Sequence, residues 1–544
     1  MSIFHRFFVS STLPIAVFFL AMGDICLVSA KGVSPDDYPL WTLAKKETGT
    51  HRFSTLFAAQ NVRDLLSSED GLNQAIEWCK RTGITQIYLE TFRDNYHADA
   101  KTIQRARERF LKEGFRVSGC VTTTRVGKPS TGWKNFTSCY TDLNTQANLK
   151  AIFEESAQFD EIMIDDFWFT DCTCPACEMA RQARTVTIGK KNFPVAGDSW
   201  EDYRCELMLQ LSRECVLGAA KKINPRVRLI IKYPQWYDNF HLRGYDVVRE
   251  TRDFDRIWVG TETRDYQDIN WGGIVQYEAY FNMRWLGGIG GTKCGGGWYD
   301  PLGTTEHTYI EQARQTVLAG AAESMLFCYG CLLINTGPKN IEALRAQQPE
   351  LFAMAHEVRK RQVTGLAAYK PPNSSPGNDG FIFDYVGMLG LPLAPCHEFP
   401  QNAPAAFFSV HALKDTNLVS ELNKFIKAGK PVLLTDGLKR QLESKIHLDV
   451  PNVFILPVID HPDSLLQLNQ SSLDNLRAHL LSPLKCNFTA PNKVGLYLFT
   501  DGSWVIENFN NLPITVQLNG AKKDISARGW MFEWKKSSHF GRNR

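Results

Sequence analysis

The sequence predicts an α/β protein, a (β/α)8 TIM barrel followed by a small Rossmann-like α/β domain and a C-terminal β-sandwich. Three observations predict it. Between residues 53 and 333, eight short β-rich runs alternate with segments whose apolar residues recur at three and four, the pattern of parallel strands joined by helical crossovers. Beyond a breaker cluster at 371–377, Pro-Pro-Asn-Ser-Ser-Pro-Gly, a shorter α/β alternation follows. From residue 486 the texture changes to closely spaced β runs with turn signals.

The barrel strands are expected at 53–59, 84–92, 116–125, 161–169, 228–233, 255–263, 285–293 and 324–330, with helices among them at 72–81, 102–112, 200–222 and 304–318. Such barrels take ~250 residues and more with inserted loops, so residues 31–365 suffice. An open dinucleotide-binding sheet is disfavoured because no Gly-rich turn follows the first strand. Residues 366–485 carry strands at 405–410, 431–434 and 453–458 and a helix at 417–428. Residues 486–544 carry strands at 494–499, 503–508, 514–518 and 530–534, with Thr500-Asp501-Gly502 as a turn.

Composition narrows the function. The 544 residues are 44% hydrophobic and 22% charged, those of a globular chain. Lys plus Arg at 61 against Asp plus Glu at 58 leaves a charge of +3 with no dense basic block, so nucleic acid is not an expected partner. Residues 1–30 hold His5 and Arg6, an apolar run at 13–22 broken off before Asp24, and Val28-Ser29-Ala30. That pattern reads as a cleaved export signal, too short to span a bilayer, and implies a periplasmic or secreted protein that is not membrane-bound after cleavage. Fourteen Cys are present. With Cys26 removed, an odd number remains, so not all can pair.

In a barrel of this kind chemistry sits where the strands end. The fourth window, Ile162-Met163-Ile164-Asp165-Asp166-Phe167-Trp168, runs apolar residues straight into two carboxylates. Alternation along a strand sends one toward the axis and one away, so the two are expected to differ in pKa. The sixth window ends likewise, Ile257-Trp258-Val259-Gly260-Thr261-Glu262. Carboxylates on either side of a sugar are what glycosidic cleavage requires, which makes Asp165, Asp166 and Glu262 the candidate catalytic residues. The bland alternatives are a loop cap or a salt bridge to an Arg for the Asp pair and an ion pair with Arg264 for Glu262. Glu90, Arg125, Lys232, Tyr233, Trp236, Arg264, Lys293 and Trp298 are candidate substrate contacts, since polar groups and flat aromatic faces suit sugar rings. The Gly-dense stretch at 287–298 lacks the phosphate-loop spacing. The strand ends contain no His, which argues against a catalytic metal.

Cys172-Thr-Cys174-Pro-Ala-Cys177 packs three thiols into six residues. With Cys139 as a fourth ligand this suits structural Zn²⁺, and a disulfide within the loop is the competing reading. No cofactor is expected for catalysis. A strand-four acid followed by this cysteine loop resembles the family 42 β-galactosidases, whose barrel also precedes a smaller α/β domain and a short β-domain. The resemblance implies the general acid/base role for Asp166 and self-association through the middle domain. It also implies a nucleophilic Glu after strand seven, where Lys293 stands in the expected register.

Two mechanisms fit without that acid. One joins Asp165 or Asp166 to Glu262, as in barrels resembling the α-galactosidase group, with the nucleophile on strand four and the acid on strand six. The other uses the Asp pair alone, as in hexosaminidase-type barrels. The first is preferred because it gives Glu262 a role. The expectation is an exported glycoside hydrolase acting on O-glycosidic bonds of oligo- or polysaccharides. The alternative is a non-catalytic carbohydrate-binding protein on a degenerate hydrolase scaffold.

Overall fold

Eight parallel strands close on themselves: β1 (Arg52–Phe57), β2 (Ile84–Arg93), β3 (Arg116–Val121), β4 (Glu161–Ile164), β5 (Arg228–Tyr233), β6 (Arg256–Gly260), β7 (Cys294–Tyr299) and β8 (Glu323–Leu326). Each pairs with the next, and β8 returns to β1 with Phe53 opposite Ser324, so the sheet is a closed barrel. The computed structural model describes residues 38–268, 275–459 and 461–536. The export signal expected at 1–30 lies outside them.

The crossover helices begin where short polar side chains can cap them. Ser68, Asp99, Asp142, Ser199 and Thr305 each accept a hydrogen bond from the backbone amide three residues on. The expected long helix at 200–222 is continuous but contains a π-helical turn, Ser212–Leu217. Inside the barrel Leu56, Tyr88, Cys120, Met163, Ile230, Trp258, Trp298 and Met325 form a packed plug. Side chains alternate along a strand, so the next inward positions toward the strand C-termini stand directly above this plug.

The seventh strand corrects the sequence reading. Residues 285–293 are not a strand. Glu278–Gly290 is a helix that buries Tyr280, Phe281, Met283, Trp285 and Leu286. The strand is the glycine run itself, Cys294–Tyr299. A Cβ on Gly295 would stand 2.1 Å from the Trp258 ring, and one on Gly297 2.5 Å from the Thr316 side chain. The glycines are there because a bulky indole fills the barrel on one side and a helix presses on the other.

Past the barrel a second sheet is entirely parallel. Its strands are β9 (Leu366–Tyr369), β10 (Leu393–Cys396), β11 (Ala406–Phe408), β12 (Val432–Thr435) and β13 (Val453–Leu456), in the order β10-β9-β11-β12-β13. The 371–377 cluster is a loop after β9. The C-terminal part is antiparallel. β14 (Val494–Phe499), β15 (Trp504–Asn508) and β18 (Trp530–Glu533) form one sheet, and β16 (Ile514–Leu518) with β17 (Ala521–Ile525) belongs to another. The first recruits Val363–Thr364, a strand that precedes β9, against β14. From Leu40 onward the chain clusters as one compact unit. No helix of the described residues is long and apolar enough to cross a membrane.

Candidate active site

Above the plug, most strands end in polar side chains that touch one another. Lys232, at the end of β5, is the centre. Its side chain is 1% exposed, and its Nζ donates to Asp166 Oδ2 at 2.7 Å and Glu262 Oε1 at 2.6 Å, with Asp165 Oδ1 at 3.8 Å. The ammonium also stands 4.3 Å over the Trp298 ring. An ammonium this buried is tolerable only with such partners, and their negative charges outweigh the desolvation that disfavours it, raising its pKa.

Asp165 and Asp166 are both here, which departs from the in-and-out alternation expected of them. β4 ends at Ile164, so the two acids occupy a turn, with Trp168 N donating to Asp165 O, and the strand period no longer applies. They remain unlike. Asp165 Oδ2 accepts from Arg93 Nη2 at 2.9 Å, and Asp165 Oδ1 accepts from the Asp166 amide at 2.7 Å. Burial pushes the Asp165 carboxyl up, but Lys232 and Arg93 overcome it and the net shift is downward. Asp166 is pushed up to about 7 by burial and by the neighbouring Asp165 and Glu262 charges, against the pull of Lys232. Its side chain, 19% exposed, is the acid of this group open to solvent. Tyr245 holds its backbone, donating from Oη to Asp166 O at 2.7 Å.

Glu262 is raised above its ordinary value by burial, although Lys232 and Arg264 pull it down. Among the described residues its Oε2 has no hydrogen-bond partner. The bland pairing of Glu262 with Arg264 is not what forms. Arg264, in a left-handed conformation at φ 58°, binds Asp300 through Nε at 3.1 Å and Nη2 at 2.7 Å.

Asp300 was missed by the sequence reading. It directly follows β7, so strand seven does end in a carboxylate, one step past Trp298-Tyr299. The apolar-to-acid signature that flagged strands four and six is there too, hidden behind the glycine run. Arg93 and Thr122 were also missed. Arg93 Nε donates to Glu90 Oε2 at 2.7 Å, and Thr122 Oγ1 lies 2.5 Å from Glu90 Oε1 and 3.0 Å from Asp165 Oδ2.

Four of the proposed contacts need relocation. Glu90 reaches the cluster but is fully buried behind Arg93, accepting from the Ala59 amide as well. Arg125 is exposed in the loop after β3, its Nε bound to Asn135 O, because the strand stops at Val121 and the chain has turned away. Tyr233 alternates outward from Lys232 and its hydroxyl meets Thr251 Oγ1. Lys293 lies at the start of β7, the opposite end from the acids. Its Nζ donates to the carbonyls of Thr251, Arg252 and Phe254, completing the C-terminus of the helix Val247–Asp253.

Trp298 lies buried under the acid cluster and Trp236 beside it in the loop after β5. Trp298 floors the cluster, stacked on Phe327 at 5.4 Å. Trp236 joins an aromatic wall: Trp133 lies 5.7 Å from Phe167, Phe167 lies 6.4 Å from Phe169, and Phe169 lies 5.5 Å from Trp236. Trp133, Phe167 and Trp236 are half-buried. Asp171 anchors this wall, its Oδ2 accepting from the Trp133 amide at 2.6 Å and its Oδ1 from Ser130 and Thr137 hydroxyls.

Directly after Asp171 stand the cysteines. Cys139, Cys172, Cys174 and Cys177 are buried with their sulfurs within 4.8 Å of one another, and the cluster can hold a metal ion. The Cys139–Cys174, Cys139–Cys177 and Cys174–Cys177 separations are each 3.7 Å. A tetrahedron with Zn–S of ~2.3 Å places its sulfurs about 3.8 Å apart, so the residues fit the ion. Among the described residues all four thiols are free of disulfides.

Residues 40–373 match the family described as probable glycosyl hydrolase, catalytic domain. An uncharacterized protein of Saccharolobus solfataricus is 27% identical over 348 residues, 60% of this chain, which spans 57% of that relative's length. Among solved structures, α-L-fucosidase isoenzyme 2 from Paenibacillus thiaminolyticus superposes with a TM-score of 0.61 at 10% identity, covering 86% of this chain and 93% of its own. A family 42 β-galactosidase from G. stearothermophilus does so with a TM-score of 0.57 at 9% identity, covering 88% and 97%. At these identities the two structures share the fold.

Proposed function

Because the chain belongs to the family of probable glycosyl hydrolase catalytic domains, we propose that it hydrolyses O-glycosidic bonds of oligo- or polysaccharides, with Asp166 and Glu262 as its working carboxyl pair. The observation that carries this reading is the shared contact with Lys232. One ammonium 2.7 Å from Asp166 Oδ2 and 2.6 Å from Glu262 Oε1 keeps those oxygens closer than the sum of the two distances. That upper bound lies below the ~6.5–9.5 Å of inverting pairs, which favours a retaining arrangement with its shorter ~5–5.5 Å spacing.

Asp166 suits the proton donor, since it reaches solvent and is pushed up to about 7, which reverses the strand-four nucleophile and strand-six acid expected from the sequence. Glu262 suits the nucleophile, with Lys232 and Arg264 both favouring its charged form. It attacks the anomeric carbon as Asp166 protonates the departing oxygen, and Asp166 then takes a proton from the water that frees the sugar. Asp165, already satisfied by Arg93 and the Asp166 amide, is a positioning residue. Lys232, seated on Trp298, holds the two carboxyl groups in place, and the half-buried aromatic wall of Trp133, Phe167 and Trp236 receives the sugar. The non-catalytic reading remains the alternative, because Asp300, the acid after strand seven, is bound by Arg264; the rates below distinguish the two.

Hydrolysis of a panel of aryl glycosides, with product stereochemistry followed by NMR, tests the reading. Retention is expected, with turnover lost in Asp166→Asn and in Glu262→Gln by ~10²-fold or more. Wild-type rates in both variants would end it. Three further parts belong to the same proposal: export through residues 1–30, units at 31–365, 366–485 and 486–544, and self-association through the middle unit. N-terminal sequencing of the released protein, limited proteolysis and light scattering test them in turn.

A further inference from the structure

A second pair of reactive side chains stands at the same mouth. After β8 the chain runs Phe327-Cys328-Tyr329-Gly330-Cys331, and the Cys328 thiol donates to Cys331 Sγ at 3.0 Å. Cys328 belongs to the plug inside the barrel, while Cys331 packs against that plug and is half-buried. The turn between them is held rigidly. Tyr329 is wedged between Phe57 and Trp78 at centroid distances of 4.6 and 5.1 Å. The Gly330 amide donates to Asn61 Oδ1 at 3.2 Å, and a Cβ there would stand 2.5 Å from Asn61 Nδ2. Among the described residues no cysteine outside the four-thiol cluster has another thiol so near.

We propose that Cys328 and Cys331 form a redox-active dithiol, a modification site at the barrel mouth that takes small soluble disulfides of the glutathione class as its oxidant. The Cys331 thiolate attacks one sulfur of the disulfide, joins to it and expels the other half as a thiol. Cys328 then loses its proton to solvent and attacks the Cys331 sulfur, releasing the second half. One protein disulfide and two small thiols result, so two electrons and two protons have passed to the reagent. The order follows from access, since the more open sulfur meets the reagent first. The hydrogen bond from Cys328 also lowers the Cys331 pKa, while that same contact and then burial raise Cys328 itself. The pair adjoins Phe327, which stacks on Trp298 beneath Lys232, so its closure bears on the floor of the acid cluster.

Full-length protein equilibrated with reduced and oxidised glutathione, alkylated and digested tests the site by peptide mass. The peptide carrying both residues is expected to lose two hydrogens, reversibly with dithiothreitol. Cys328→Ser is expected to retain glutathione on Cys331, and Cys331→Ser to abolish the reaction. Cys294 and Cys396, half-buried and with no thiol neighbour among the described residues, serve as references that do not go on to an internal disulfide. A 328–331 peptide that stays reduced in excess glutathione disulfide, or that keeps glutathione on Cys331 in the unsubstituted protein, overturns the proposal.

Discussion

Lys232 Nζ lies 2.6 Å from Glu262 Oε1 across the gap between β5 and β6, with both side chains almost wholly withdrawn from water. Neither charge has a solvent shell to fall back on, so each depends on the other and on Asp166, which shares the same ammonium. The acid cluster is therefore one electrostatic unit.

The first consequence is a pH profile. With Asp166 pushed up to about 7, donation requires its protonated form, and kcat/KM falls as pH rises through that value. Glu262 must be charged to attack. Its carboxyl is raised by burial, so the acidic limb lies above the usual carboxylate range. Asp166→Asn removes the basic limb, and a limb unchanged in that variant would contradict the assignment. Stability follows the same group. Its folded pKa exceeds the unfolded one, so its contribution is complete below the unfolded value and lost as pH rises through about 7. Melting curves of the variant should lack that loss.

Lys232→Met leaves Asp166 and Glu262 facing each other without their cation. Removing one member of a buried ionic group costs about 3–5 kcal/mol, which urea unfolding would read. Surviving activity should show its limbs displaced to higher pH, since the ammonium no longer favours either carboxylate. Unchanged limbs would mean the ammonium does not tune them.

Cys174→Ser should abolish bound zinc, measured by elemental analysis, and lower stability by about 3 kcal/mol or more. Product stereochemistry should not change, because the sulfurs stand behind the aromatic wall and not among the acids. Purified protein without zinc, of unaltered stability, would remove the metal.

Trp133→Ala should raise KM for oligosaccharides roughly fivefold, the equivalent of ~1 kcal/mol of stacking. The rate on a single-sugar aryl glycoside should hold, since Trp133 contacts the wall and not the acids. Equal losses on both substrates would place this tryptophan in the folding of the loop alone.

Alternating β and helical patterns were enough to read a closed barrel, and apolar runs breaking into acid were enough to find Asp165, Asp166 and Glu262. Cysteine spacing was enough to assemble Cys139, Cys172, Cys174 and Cys177. These signals are local, because strand period, helix period and ligand spacing are written within a few residues of one another. The seventh strand was misread because its glycines answer to Trp258 and Thr316, which come from distant parts of the chain. With that register lost, Lys293 took a place that belongs to Asp300.

By itself, then, the sequence determined that strands four and six end in acids and that a thiol cluster follows the first of them. Only the tertiary structure decided that one buried lysine joins Asp166 to Glu262, that Arg264 turns to Asp300, and that Asp165 and Asp166 part in pKa. Such pairings depend on which side chains a closed barrel brings within 3 Å and away from water, and no spacing along the chain encodes that.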